Sequence, residues 1–388
     1  MSDNRKLGAP GYRLRPRDDM LRLPPELFER IIAELQGDLS SLKAASLVCK
    51  AWLPRSSAHL FHLIRFRTFL SEVKLAKFQA FISTTPRITP YIRDMELYYV
   101  PEWLDSLAAL LAHMPALESL ALTGVGLSDA PPPRYSKLPA STGRTLRRLA
   151  VMSLPADAIS RVQNLFIAVD TLSISACRRS VHRLRRHVVH ELILRANSDD
   201  ALADLARLSD PALLKCLVVD LSATFYYRVS PIRLDAFLQT AGQNVRHFEY
   251  VHPVPGWSES PLRMPGLQAC SQLESVIVTT PRAVPFSVTL WLEAVAILAF
   301  LPSQVRRVKL VTSCHGLRDC HNAFGAFVQG LPWKELGRTL DKSGPLSILE
   351  LSALDSDGKA ESFLPHQEVV HYISASLPER LQRVLKIS

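Results

Sequence analysis

The amino-acid sequence predicts an α/β protein in which a small all-α module is followed by an irregular α/β solenoid. Three observations predict this fold class. Apolar residues recur at helical spacing between positions 24 and 61, a six-residue apolar pattern recurs further along the chain, and helical spacing returns between its copies. We therefore predict a flexible basic tail over 1–19, the module over 20–64 and the solenoid over 65–388.

The first predicted helix of the module begins at the pair Pro24–Pro25, because proline lacks the N–H that a first helical turn leaves unpaired. Its apolar face recurs every four residues from Leu27 to Leu35. Gly37 ends this helix, and either Asp38 or Ser40 can cap the next one.

The second predicted helix carries Leu42, Ala45, Ser46 and Cys49 along one side, and Leu47 and Val48 widen this apolar stripe. Trp52 follows the helix. We expect Pro54 to stop this helix. Two or three short helices are too small to bury so much apolar surface among themselves. The surplus predicts a binding partner.

The order of residue identities in the module resembles an F-box. The matching segments are LPPEL from Leu23, the pair II from Ile31, LKAASLVCKAW from Leu42 and HLF from His59. The resemblance covers about 45 of the 388 residues. It implies docking on a Skp-family adaptor, and through that adaptor on a cullin-based ubiquitin ligase.

The positions that match the motif imply which residues face the adaptor. They are Leu23, Pro24, Leu27, Ile31, Leu35, Leu42, Leu47, Val48 and Trp52. Some of these residues must also hold the helices to each other. The alternative interpretation is that the segment is the first helical hairpin of a larger domain and that these residues form its core.

The six-residue pattern has apolar residues at its first, fourth and sixth positions, and it predicts short strands. Its copies start at Phe61, Ile92, Leu117, Leu146, Val169, Val189, Leu214, Val245, Leu273, Val305 and Leu346. Successive starts lie 20 to 32 residues apart, except for a last gap of 41. Helical spacing of apolar residues in several of the intervening segments predicts strand–helix repeats that stack as a solenoid.

This array resembles leucine-rich repeats, the commonest fold to follow an F-box of this kind. It departs from that family because its repeat length drifts. It also lacks the usual asparagine three residues after the last apolar position, where Val100, Val125 and Leu154 stand instead. Other hydrogen bonds must therefore close the turns.

Strand alternation predicts which side chains the solenoid displays. The fourth and sixth positions of each pattern point inward, so the third and fifth point outward. The charged and polar residues at these outward positions are Arg65, Asp94, Glu96, Ser119, Arg148, Thr171, Ser173, Glu191, His247, Glu249, Arg307, Lys309 and Glu350.

Composition limits the class of protein further. With 47% hydrophobic residues among 388, the chain has ample material for a core, and general disorder is excluded. Residues 1–22 hold no apolar stretch of signal-peptide length, and the apolar run from Val288 to Leu301 is shorter than a membrane span. Six scattered cysteines show no disulfide framework. We expect no membrane association and a cytoplasmic or nuclear location.

No motif for catalysis is present in the sequence. There is no Gly-x-Ser-x-Gly and no glycine-rich phosphate loop. The pairs Cys314-His315 and Cys320-His321 have the only suggestive metal spacing, but structural zinc needs four close ligands. We expect neither metal nor cofactor, and a non-catalytic protein.

Positive charge concentrates in one sector of the predicted solenoid. Residues 134–195 hold twelve basic and three acidic residues, a net +9 of the overall +10. This sector predicts docking of an acidic or phosphorylated protein substrate. The candidate binding residues are Arg148, Arg183, Arg185, Arg186 and Arg195.

Together these features predict a substrate receptor of a ubiquitin ligase. A nucleic-acid or chromatin-associated binder, which we consider the less favoured reading, and a non-degradative F-box scaffold remain as alternatives. A further alternative for the basic residues is an ordinary solvated face or a nuclear-targeting patch.

Overall fold

The computed structural model describes residues 24–48, 50–66, 72–99, 104–124, 143–154, 156–175, 187–195, 210–222, 231–252, 263–280, 288–314, 330–342, 344, 346–355 and 367–387. The chain separates into two compact units, Met1–His62 and Leu63–Ser388. The first is helical where it is described, and the second is an α/β unit.

The described residues of the first unit form the helices α1 (Pro25–Glu34), α2 (Leu39–Val48) and α3 (Leu53–Phe61). Asp38 caps α2, because its carboxylate accepts hydrogen bonds from the backbone N–H groups of Ser40 at 2.9 Å and Ser41 at 3.2 Å. These bonds and those from the two hydroxyls hold the pKa of the Asp38 carboxyl well below its usual range. The expectation for Pro54 was wrong: α2 ends at Val48, and Pro54 lies in the first turn of α3, which tolerates proline.

A small core holds the three helices together. Ile32 from α1 and Leu42 and Ala45 from α2 are buried, and the partly buried Leu35, Trp52 and Leu60 pack against them. The ring of Trp52 also meets that of Phe28 edge to face, with centroids 5.7 Å apart.

The second unit is built on one parallel sheet of twelve strands, whose spatial order is their order along the chain. Its strands are Leu63–Phe66 (β1), Asp94–Tyr99 (β2), Ser119–Gly124 (β3), Thr145–Met152 (β4), Ala168–Ser175 (β5), Val189–Arg195 (β6), Cys216–Asp220 (β7), His247–Val251 (β8), Ser275–Thr280 (β9), Arg307–Cys314 (β10), Ile348–Asp355 (β11) and Leu385–Ile387 (β12). Each strand pairs with the next, so the unit is an α/β solenoid.

Helices connect several of these strands. They are α4 (Glu72–Thr84), α5 (Leu104–Ala112), α6 (Ala156–Gln163), α7 (Pro231–Ala241), α8 (Val288–Leu298), α9 (Trp333–Lys342), α10 (Gln367–Ser376) and α11 (Glu379–Gln382), with short 3-10 helices at Thr89–Tyr91 and Pro265–Ala269. The apolar spacing also predicts helices around Leu205 and Phe324, and most of these two segments lies outside the described residues.

The predicted inward positions are confirmed. The fourth and sixth residues of the pattern are buried in every strand from β2 to β11, and in the edge strand β1 they are half-buried. Strand β12 was missed, although Leu385 and Ile387 pair in register with Leu349 and Leu351. Its first pattern position is Gln382, so the apolar signal is incomplete there.

Backbone hydrogen bonds join successive repeats where each strand begins. The carbonyl oxygen of Lys215 accepts bonds from the N–H groups of Arg246 at 2.8 Å and His247 at 3.1 Å. The carbonyl of Arg246 likewise accepts from Glu274 and Ser275 in the next repeat. Leu154 stands at the position of the usual repeat asparagine after β4, and its side chain is buried. An apolar contact therefore occupies that turn.

Candidate protein-binding surfaces

The first unit exposes large apolar side chains on its helices. Leu47 is 85% and Val48 65% exposed at the end of α2, while Leu27 at 45% and Ile31 at 39% lie one turn apart on α1. Leu39, at 59%, is exposed at the beginning of α2.

This exposure is concentrated in the first unit. Among the residues that the structure describes, the first unit has six exposed large hydrophobic side chains, and the second has nine over more than five times as many residues. Scattered apolar residues are normal on a protein surface, but such a density on a three-helix unit is typical of an interaction surface.

The positions that the F-box resemblance assigns to the adaptor differ in accessibility. Pro24, Leu27, Ile31, Leu47 and Val48 are exposed. Leu35 and Trp52 are half-buried against the core, and Leu23 lies outside the described residues.

The assignment of Leu42 to the adaptor-facing set was wrong. It is fully buried between α1 and α2, so it stabilises the unit and is not accessible to an adaptor. Helical spacing predicts that Leu42, Ala45, Leu47 and Val48 form one wide apolar stripe on α2. It does not show which of these side chains are buried and which are exposed.

The second unit displays two rows of side chains on one side of its sheet, which we call the displayed face. The register aligns Leu63, Asp94, Ser119, Arg148, Thr171, Glu191, Cys216, His247, Ser275, Arg307 and Ile348 in one row. The second row consists of Arg65, Glu96, Ala121, Ala150, Ser173, Ile193, Val218, Glu249, Ile277, Lys309, Glu350 and Lys386. All thirteen residues predicted to point outward are exposed or half-buried, so that prediction is confirmed.

Ion pairs link neighbouring strands across the displayed face. Arg65 pairs with Glu96 through two guanidinium nitrogens, and Lys309 Nζ lies 2.7 Å from Glu350 Oε1. Such pairs are partly solvated, so each adds at most about 1 kcal/mol to stability. Each pair neutralises two of the charges on the displayed face.

The described residues of the basic sector have different surroundings. Arg195 lies 3.3 Å from Asp220, and the Arg144 guanidinium donates to the carbonyl of Met114 at 2.8 Å. Arg148 is exposed and its side chain has no partner among the described residues. Arg183, Arg185 and Arg186 lie outside them.

A group of carboxylates lies in the middle of the displayed face, and the sequence argument gave it no special role. Glu191 accepts a hydrogen bond from the Thr171 hydroxyl at 2.7 Å. Burial, with Glu191 and Glu249 close by, raises the pKa of the Cys216 thiol to about 12, so this cysteine is a poor nucleophile. Burial and the charges of Asp220 and Glu191 raise the pKa of Glu249.

The interior of the second unit contains a buried polar pair. His252 follows β8 and is fully buried, with Nδ1 3.4 Å from Glu293 Oε2 on α8. Its ring packs edge to face on Tyr250 at 4.9 Å, and burial raises the pKa of that tyrosine. The sequence showed Glu293 only as an interruption of an apolar run, and nothing in the pattern linked it to His252.

Within the described residues, no group of three or more His, Cys, Asp or Glu side chains could hold a metal ion. Cys314 ends β10, whereas His315, Cys320 and His321 lie outside those residues. No helix in the same part of the chain is long and apolar enough to cross a membrane.

Comparison with known proteins gives remote structural likeness only. The leucine-rich repeat-containing protein LegL7 from Legionella pneumophila matches 83% of this chain and 95% of its own, with a TM-score of 0.41 and 13% identity. A protein from Bacteroides fragilis matches 76% of this chain and 86% of its own, with a TM-score of 0.37 and 11% identity. No protein-family model and no curated protein matches the sequence.

The class of protein follows from the chain's own sheet. Twelve sequential parallel strands with a repeating inward apolar pattern define a leucine-rich-repeat-like α/β solenoid. A solenoid of this kind presents an extended surface suited to protein–protein interaction.

Proposed function

We propose that this protein is a substrate receptor of a Skp–cullin–F-box ubiquitin ligase. The first unit docks on a Skp-family adaptor, the solenoid captures a protein substrate, and partner subunits carry out the ubiquitin chemistry. The observation that carries the proposal is the dense exposed apolar surface of the first unit, together with the F-box order of its residues.

The physical basis is burial of apolar surface. Leu47 and Val48 project from the last turn of α2, and Leu27 and Ile31 share a face of α1. Covering such side chains contributes about 25 cal/mol for each Å² removed from water, and this term opposes the entropy lost when two proteins associate. A partner with a complementary apolar groove is therefore favoured over one recognised by charge.

A pull-down with an immobilised, purified Skp-family adaptor tests this proposal. The change Leu47→Asp places a charge in the proposed interface, and we expect it to lower the affinity at least tenfold. Leu47 makes no core contact, so the helices should remain folded, as circular dichroism can check.

Leu39→Asp is the matched control. It puts the same charge on the same helix at an exposed leucine that does not belong to the adaptor-facing set, and a carboxylate near a helix N-terminus is favourable. We expect it to bind like the unchanged protein. Equal binding of the Leu47→Asp variant and the unchanged protein would refute the proposal.

A further inference from the structure

In the second row of the displayed face, Glu249 lies within a stretch of apolar side chains. The register places Glu249 on β8 between Val218 on β7 and Ile277 on β9, and Ile193 on β6 extends the row beyond Val218. All four side chains are half-buried, so each keeps some contact with solvent. With strands about 4.8 Å apart, the row is roughly 14 Å long.

Glu249 differs from the other carboxylates of this region because it lacks a partner. The two carboxylates that act on it have partners, because Asp220 pairs with Arg195 and Glu191 accepts a hydrogen bond from the Thr171 hydroxyl. Further along the row, Glu350 pairs with Lys309. In the part of the chain that the structure describes, the Glu249 carboxylate has neither a hydrogen bond nor an ion pair.

The electrostatic surroundings favour an added cation beside Glu249. Partial burial and the nearby Asp220 and Glu191 charges raise the pKa of Glu249, and Lys309 and Arg195 only partly oppose them. An incompletely solvated carboxylate without an ion-pair partner among the described residues gains most from a positively charged partner.

We propose that the row formed by Ile193, Val218, Glu249 and Ile277 receives a lysine or arginine side chain of the captured protein. The aliphatic stem packs on the isoleucine and valine side chains while the charged head pairs with Glu249. The inference deepens the proposed function, because it presupposes that the solenoid captures a protein and states which side chain it receives there.

The charges around Glu249 favour a basic side chain at this row over the acidic or phosphorylated segment that the basic sector predicts for the captured protein. An acidic group on this row would face Glu249, Glu191 and Asp220, and like charges so close oppose binding. A basic side chain is attracted by the same three groups.

Selection of peptides on the full chain tests the inference. A phage-displayed random dodecapeptide library is selected on the unchanged protein, on Glu249→Gln and on the control Glu335→Gln. The control removes one exposed carboxylate from α9, outside the sheet. We expect lysine or arginine to be enriched over the unselected library with the unchanged protein and the control, and not with Glu249→Gln.

A synthetic copy of a selected peptide then gives the affinity. Replacing its enriched lysine with acetyl-lysine, or its enriched arginine with citrulline, should weaken binding to the unchanged protein about tenfold or more, and should leave binding to Glu249→Gln unchanged. Glutamine keeps the shape of the side chain, and a thermal scan confirms that the variant is folded.

Three results would overturn the inference: no selectable peptide, selected peptides without basic enrichment, or the same enrichment on Glu249→Gln. Its failure is separable from failure of the proposed function. The Leu47→Asp variant should lose the adaptor and select the same peptides, and Glu249→Gln should still bind the adaptor.

Discussion

Individual side chains of the first unit divide into those that build it and those left for a partner. Leu42 and Ala45 face the core, whereas Leu47 and Val48, on the same helix, face solvent. The sequence predicted all of them as one apolar stripe, because a 3.6-residue period does not show where the neighbouring helices lie. Trp52 packs on the core and on Phe28, so its substitution would test folding rather than binding.

The basic sector shows the same limit at the level of single charges. The sequence shows how many basic residues this sector holds, but not which of them are free to bind. The Arg144 side chain donates to a backbone carbonyl, and Arg195 pairs with Asp220. Pairing of this kind depends on contacts between residues 25 or more positions apart, which composition does not reveal. Arg148 is the predicted binding residue that the structure shows exposed and unpaired among those it describes.

Glu249 yields a prediction about pH. Because folding raises its pKa, the folded state binds its proton more tightly than the unfolded state, so the ionised form opposes folding at neutral pH. We expect Glu249→Gln to raise the melting temperature of the full chain near pH 7 and to leave it unchanged near pH 4. Thermal scans at both values measure this, and a lower melting temperature at pH 7 would contradict it.

At the level of elements, eleven strands were predicted from a weak pattern and all are present. The pattern succeeded because every repeat from β2 to β11 buries the same two alternate positions against the interior. It failed for β12, where Gln382 replaces the first apolar residue and the partner strand β11 supplies the register. The prediction for Pro54 was wrong, because this proline lies in the first turn of α3 and does not end α2.

Two glycines before strands give a prediction about how the repeats close. Gly143 precedes β4 with φ +70° and open space around it, whereas Gly344 precedes β11 with φ +100° and lies against the Ser303 backbone. We expect Gly143→Ala to lower the free energy of unfolding by about 1–2 kcal/mol, because alanine is strained at a positive φ. Gly344→Ala should cost a further ~1–3 kcal/mol, because its methyl group meets that backbone. Chemical denaturation of both variants measures the difference in their free energies of unfolding. Equal losses of stability would contradict a close contact between residue 344 and the Ser303 backbone.

At the scale of the whole molecule, the two units carry different kinds of surface. The first exposes apolar side chains at high density, and the second displays rows of charged, polar and apolar side chains, some of which form ion pairs between strands. In the proposed function, the first unit binds the adaptor and the second captures the substrate. The fold class was predictable from sequence, whereas the exposed edge of α2, and the lack of a hydrogen-bond or ion-pair partner for Glu249 among the described residues, required the three-dimensional structure.

Calorimetric titration of a purified Skp-family adaptor into the full chain at several temperatures tests the central claim most directly. The proposal predicts a one-to-one complex with a negative heat-capacity change, because binding buries apolar surface of the first unit. Leu47→Asp should abolish or strongly weaken this binding, while Leu39→Asp should preserve it. No binding at micromolar concentrations, or equal affinity for the Leu47→Asp variant and the unchanged protein, would contradict the claim.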